Sequence, residues 1–228
     1  MKSSTPRAKT IISIIYSSFQ GNKANRYGLE KEPIAIEQLS KELVKCIKPA
    51  GLFIDKDMPW LAAMPDGLID HDSTIELRCP FSAAQRTSES AIRQNKIKFC
   101  LIENELRLKR NDSYMFQVRG QLQIANMKTC YFVVQTPLGM LFEIIERGTK
   151  FWEEKMVDKL NGFYMDHIRV GRRTASAGFA TLISVSIENS TQHLCNRISW
   201  DYQPNFAIGN ITFCHSKSYK LSSNAAIN

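Results

Sequence analysis

Residues 61–80, LAAMPDGLIDHDSTIELRCP, carry two acids in a setting that could do chemistry. Asp66 lies in a Met64-Pro65-Asp66-Gly67 turn, a composition that bends the chain and is expected to show Asp66 to solvent. Glu76 lies on Thr74-Ile75-Glu76-Leu77-Arg78-Cys79, which reads as a returning strand. On that geometry the two carboxylates can meet. Their chemistry would be that of a hard cation and a phosphodiester: the ion neutralises the phosphate, lowers the pKa of a water and stabilises the leaving oxygen. Magnesium takes oxygen ligands and needs few from protein, so Asp66, Glu76 and the main-chain carbonyl of Leu77 would suffice. Arg78 shares a strand face with Glu76 and would lie beside the phosphate. Taken alone, a Pro-Asp-Gly turn followed by a strand glutamate is a common and non-specific pattern.

The elements that must position these groups read as an α/β core. A helix is expected near Tyr27–Ile47, strands near Leu52–Ile54 and Leu68–Leu77, and a helix near Glu89–Lys98. A hairpin follows, with Cys100–Ile102 and Glu105–Leu108 alternating around Asn104. Helical spacing runs through Tyr114, Val118, Leu122 and Ala125, and Cys130–Val134 and Met140–Ile145 read as buried strands joined at Thr136-Pro137-Leu138-Gly139. Trp152, Met156, Leu160 and Phe163 form one helical stripe, the pattern of core packing.

Four ordered blocks resemble the YqaJ-like viral recombinase and lambda-exonuclease branch of the PD-(D/E)XK nucleases. Tyr27-Gly28-Leu29-Glu30-Lys31-Glu32 is similar to that family's helix with an accessory glutamate, and Ala63–Leu68 to its first metal-binding block. Ile75–Phe81 resembles the second, and Tyr114–Leu122 the glutamine-bearing helix. The helix from Phe151-Trp152 to Phe163-Tyr164 resembles the closing element. The resemblance implies a restriction-endonuclease-like mixed central sheet flanked by helices. It assigns Asp66, Glu76 and the Leu77 carbonyl to Mg2+, with Mn2+ as the alternative ion. Glu32 would support the water or a second ion, and Gln117 would help position the nucleophile. Glu32 alone reads as a solvated helix residue, and Gln117 and Gln121 as surface amides.

One residue departs from the pattern. Arg78 stands where the family has lysine, and guanidinium stays protonated above pH ~12, so it cannot trade protons with a water. Its fork also displaces the charge, and small misplacements at a reacting centre can cost about 100-fold in rate. Met64 stands where the family usually has serine and Arg119 where it often has a second glutamine, though Arg119 faces away from Gln117 on a helix.

Two function classes follow from the resemblance. One is a Mg-dependent exonuclease resecting duplex DNA ends in recombination or repair, with a single-strand annealing protein as partner and a homo-oligomer as the assembly. The other is a catalytically weak or inactive DNA-binding descendant of such an enzyme, of mobile-element origin. The resemblance divides the chain into a shortened N-terminal segment (1–26), a nuclease-like domain (27–168) and a Ser/Asn-rich extension (169–228) expected to be poorly ordered.

Composition sets bounds. A length of 228 residues fits one domain with extensions, and 43% hydrophobic content is enough for a full core. No apolar run reaches membrane-spanning length, so the chain is expected to be soluble and intracellular, nuclear in a eukaryote. The six cysteines form no CxxC pair and are expected to be reduced thiols. His193, Cys195, Cys214 and His215 match no usual zinc-finger spacing. Net charge is +8, half of it beyond residue 168. Arg86, Arg93, Lys96 and Lys98, with Arg107, Lys109 and Arg110, read either as a stripe following a phosphate backbone or as an ordinary solvated face.

Overall fold

The computed structural model describes residues 21–168 and the strand Ile211–Phe213. The N-terminal segment up to residue 20 and the histidines and cysteines considered above for zinc lie outside the described residues.

Helix α1 (Lys23–Leu43) begins in a reciprocal cap in which Asn22 and Asn25 exchange side-chain hydrogen bonds with each other's backbone N–H. It ends earlier than its apolar spacing predicts. Val44 adopts a left-handed conformation (φ 52°), and its N–H and that of Lys45 return to the carbonyls of Lys41 and Ser40, closing the helix before Ile47. Ile47 instead enters a strand, β1 (Ile47–Lys48). Next come β2 (Phe53–Ile54), β3 (Leu61–Ala63), β4 (Gly67–Ile69) and β5 (Ser73–Arg78). The run expected as one strand from Leu68 to Leu77 is thus two, broken where Asp70 takes φ 56° and the chain reverses through Asp72. Strand β5 is buried along nearly its whole length, as a strand covered on both faces must be.

A short helix α2 (Ser88–Arg93), capped by Thr87, stops well before Lys98 because Asn95 turns left-handed and the N–H groups of Lys96 and Ile97 fold back onto the Ala91 carbonyl. The hairpin β6 (Cys100–Ile102) and β7 (Leu106–Leu108) leads to α3 (Ser113–Ile124), capped by Asp112. Strands β8 (Thr129–Thr136) and β9 (Gly139–Glu146) form the long final hairpin of the core.

The central sheet has the order β1-β4-β5-β8-β9, antiparallel except between β5 and β8. It is therefore a mixed sheet flanked by helices, as the fold class anticipated. Alternation along β5 decides which side each group serves. Ile75 and Leu77 face α1, packing with Ala35 and Leu39, while Glu76 and Arg78 face α3, next to the core built from Met115, Val118, Leu122 and Phe132.

Strands β2 and β3 pair in a second sheet with β10 (Ile211–Phe213). Leu61 and Ala63 pack there against Trp152, Met156 and Leu160. Those three recur every fourth residue, a spacing that drifts around a regular α-helix. The helical run alternates α4 (Thr149–Trp152) and α5 (Asp158–Phe163) with π-turns at Glu153–Val157 and Tyr164–Ile168, whose wider turn keeps the stripe facing inward. Phe163 is only half-buried, and Tyr164 stacks on Trp60 with ring centres 4.4 Å apart. Among the described residues no helix is long and apolar enough to cross a membrane. Cys46, Cys79, Cys100 and Cys130 are free thiols.

Candidate active site

The hairpin of β4 and β5 sets the first relationship. The N–H of Asp66 donates to the carbonyl of Ile75 at 3.0 Å, and Gly67 pairs with Ile75, so Asp66 is fixed one step before the ladder and opposite Glu76 and Leu77. Gly67 sits in a tight place: a Cβ there would come within 3.0 Å of Ile47 and 3.3 Å of Ile75, so those side chains would have to give by a few tenths of an ångström.

Asp66 does not face solvent as the turn composition suggested. It is half-buried, and its Oδ2 accepts the N–H of Leu77 at 2.7 Å. The neighbouring strand supplies a better partner than water does, so the turn closes inward. Burial raises the pKa of Asp66, against the downward pull of Arg78 and of the Leu77 N–H.

Glu76 is fully buried. Its Oε2 accepts from Gln121 Nε2 at 2.8 Å, and its Oε1 is ion-paired with Arg78. Burial pushes its carboxyl up, with Arg78 opposing and Asp66 adding to the rise. A carboxylate in so dry a place is held by charge and hydrogen bonds or not at all.

Arg78 reaches further than its neighbours. Nη1 donates to the Leu77 carbonyl at 2.9 Å, Nη2 donates to Gln117 Oε1 at 2.9 Å, and the guanidinium lies 4.4 Å from the centre of the Tyr114 ring. Thus α3 presents Tyr114, Gln117 and Gln121, spaced three and four apart, on the face turned to β5.

From the other side of the sheet, α1 brings Glu32 to the C-terminal end of β5. Glu32 is half-buried, and burial followed by the charge of Asp66 raises its pKa to about 7, with Arg78 opposing. The same helix places Tyr27 edge-on to Phe81 at 5.4 Å, with Lys31 over Tyr27 and Lys23 over Phe81.

The remaining residues fall elsewhere. Arg86 donates to Gln94, and Arg93 pairs with Glu89 one helical turn away, while Arg93, Lys96 and Lys98 are exposed. No hydrogen bond or ion pair joins these four to the carboxylates among the described residues. Arg119 does turn away from Gln117, donating to the Glu146 carbonyl. Arg107 and Arg110 share the buried Glu143.

Gln121 and Tyr114 are the site neighbours that sequence reasoning left without a role. An amide four residues from Gln117 is ordinary on a helix surface, and only the docking of α3 against β5 turns it onto Glu76.

Whether the site suits a divalent ion can be judged from the donors. Among the described residues no three His, Cys, Asp or Glu side chains cluster as a metal site, so the candidate set is two carboxylates and one carbonyl. Those oxygens are of the type magnesium takes. The donor chemistry fits. In this structure, however, the guanidinium of Arg78 stands among the same oxygens.

The mixed central sheet and its flanking helices define the restriction-endonuclease-like fold class, and two carboxylates lie at the end of its central strand β5. Residues 4–128, more than half of the chain, match the model of the YqaJ-like viral recombinase domain, and the chain belongs to that family. Among solved structures it is similar to the alkaline exonuclease LHK-Exo from Laribacter hongkongensis, with a TM-score of 0.58 at 21% identity, covering 78% of this chain and 89% of that one. The same exonuclease in complex with dAMP gives a TM-score of 0.57 at 19% identity, covering 78% and 90%. At these identities the likeness establishes the fold. No curated protein matches the chain.

Proposed function

We propose that this protein acts on DNA as a nuclease of the viral recombinase type, working at duplex ends. What supports it most is the grouping at the end of β5: Asp66 accepts the Leu77 N–H, and Glu76, the Leu77 carbonyl and Gln117 all meet the guanidinium of Arg78. When bound, Mg2+ or Mn2+ would polarise the phosphate and acidify a water, with Asp66, Glu76 and the Leu77 carbonyl as its protein ligands.

The chain's own groups then divide the work. Arg78 can clamp phosphate oxygens through its planar fork but cannot accept a proton. Glu32, with its pKa near 7 and its charge felt by Asp66 and Arg78, is the group suited to take one at neutral pH. Gln117, already oriented by Arg78, can hold the attacking water or a phosphate oxygen through its Nε2. Arg93, Lys96 and Lys98, which are exposed, and the half-buried Arg86 supply charge for the backbone of the duplex, an attraction that weakens with salt.

A second reading is favoured by one specific contact set. Arg78 is held by Glu76, the Leu77 carbonyl and Gln117 at once, an arrangement that favours binding over hydrolysis and so a catalytically weak DNA-binding descendant. Linear duplex with magnesium separates the two. Cleavage by the wild type that is lost in Asp66→Ala supports the nuclease. Absence of cleavage with salt-sensitive binding, and gain of cleavage in Arg78→Lys, supports the descendant. A protein that neither cuts nor binds DNA removes both.

A further inference from the structure

We propose that the guanidinium of Arg78 is the resident cation of this site, seated on the oxygens a divalent ion requires, so that metal and arginine compete for Glu76 and the Leu77 carbonyl. The inference deepens the reading of Asp66, Glu76 and Leu77 as the ion-holding set and depends on it.

The contacts are made by one planar group. Nη2 takes Glu76 Oε1 and Gln117 Oε1, Nη1 takes the Leu77 carbonyl, and Tyr114 covers the guanidinium face. A lysine ammonium is a compact point charge and does not offer this fork of donors in fixed directions. The pair is sheltered: Glu76 is fully buried and the Arg78 side chain only 23% exposed, so its charge is weakly screened by salt. A divalent ion arriving between Asp66 and Glu76 would meet a like charge already in place. It would also find two of its oxygens engaged.

The attachment has a weak side. Arg78 Nε is buried without a hydrogen-bond partner, so the guanidinium is held through its two terminal nitrogens. Both oxygens are therefore released together when the head group swings away. Two states follow, one with Arg78 seated and one with it displaced, and only the second offers Glu76 Oε1 and the Leu77 carbonyl to a metal. Apparent metal affinity falls by the fraction of time the second state is populated.

The competition is read without DNA and without turnover. Binding of Mn2+, followed by electron paramagnetic resonance, is compared in the wild type, Arg78→Met, and Arg78→Met combined with Asp66→Asn. Arg78→Met is expected to bind Mn2+ about tenfold or more tightly than wild type, and the double variant to lose that gain. Equal affinity in wild type and Arg78→Met, or a gain that survives Asp66→Asn, overturns the proposal.

Because Arg78→Met leaves Glu76 buried without its counter-ion, a second measurement uses the native chain. Arginine side-chain NMR of the wild type should show a distinct Arg78 signal that shifts as Mg2+ saturates the site. Saturation with that signal unmoved overturns the proposal as well. A protein that never cuts or binds DNA would remove the function proposed above while leaving this competition measurable.

Discussion

Gln121 on α3 donates through Nε2 to Glu76 Oε2 on β5 at 2.8 Å, tying a helix amide to a fully buried carboxylate. Its removal strands an acceptor that water cannot reach. Gln121→Leu is expected to destabilise the fold by about 1–3 kcal/mol, the cost of an unpaired buried group. A double-mutant cycle with Glu76→Leu, measured by chemical denaturation, should return a coupling of about 0.5–3 kcal/mol; additive effects would show that the bond carries no weight.

Glu143 on β9 performs a structural task with similar chemistry. It is buried, accepts the Leu108 N–H at 2.6 Å, and pairs with Arg107 and Arg110 at 3.4 and 3.1 Å. Both arginines are substantially exposed, so the ion pairs are screened and the backbone bond dominates. Glu143→Leu is expected to cost about 1–3 kcal/mol in urea unfolding and to loosen the β6–β7 hairpin in hydrogen exchange. An unchanged midpoint would refute this.

The raised pKa of Glu32 makes stability depend on pH. A carboxyl that titrates near 4.5 when unfolded and about 7 when folded binds more protons in the folded state across that window. Its stabilising contribution is full below about pH 4.5 and lost as pH rises through about 7. Glu32→Gln has no such proton to lose. The stability of Glu32→Gln relative to wild type should therefore increase between those limits and stay level outside them, as read from thermal unfolding at a series of pH values.

Val44 closes α1 in a left-handed conformation at φ 52° while the residue is 90% exposed. A β-branched residue is strained there, and no packing offsets the strain. Val44→Gly is expected to raise stability by about 0.5–1 kcal/mol, since glycine adopts this conformation freely but gains unfolded-state entropy. A lower unfolding midpoint would contradict the strained cap.

Local rules made much of the scaffold legible. Period-two alternation located β5, continuous apolar runs located β8 and β9, helical spacing located α3, and the ordered blocks around Glu32, Asp66, Glu76 and Gln117 indicated the family to which residues 4–128 belong. Where a helix stopped was less legible. The early ends of α1 and α2 come from left-handed residues, Val44 and Asn95, and valine gives little signal of that conformation.

What the chain's spelling determined by itself is which groups are available: two acids at the spacing of a hairpin, an arginine beside the second, and amides one turn apart on a helix. Only the tertiary structure decided where those groups point. Asp66 turned inward because the Leu77 N–H on the neighbouring strand outcompeted solvent, and Gln121 became a partner of Glu76 because α3 docks on that face of β5. Arg78 came to bind Glu76, Leu77 and Gln117 together for the same reason: burial leaves a charge no partner but the groups that packing brings within reach.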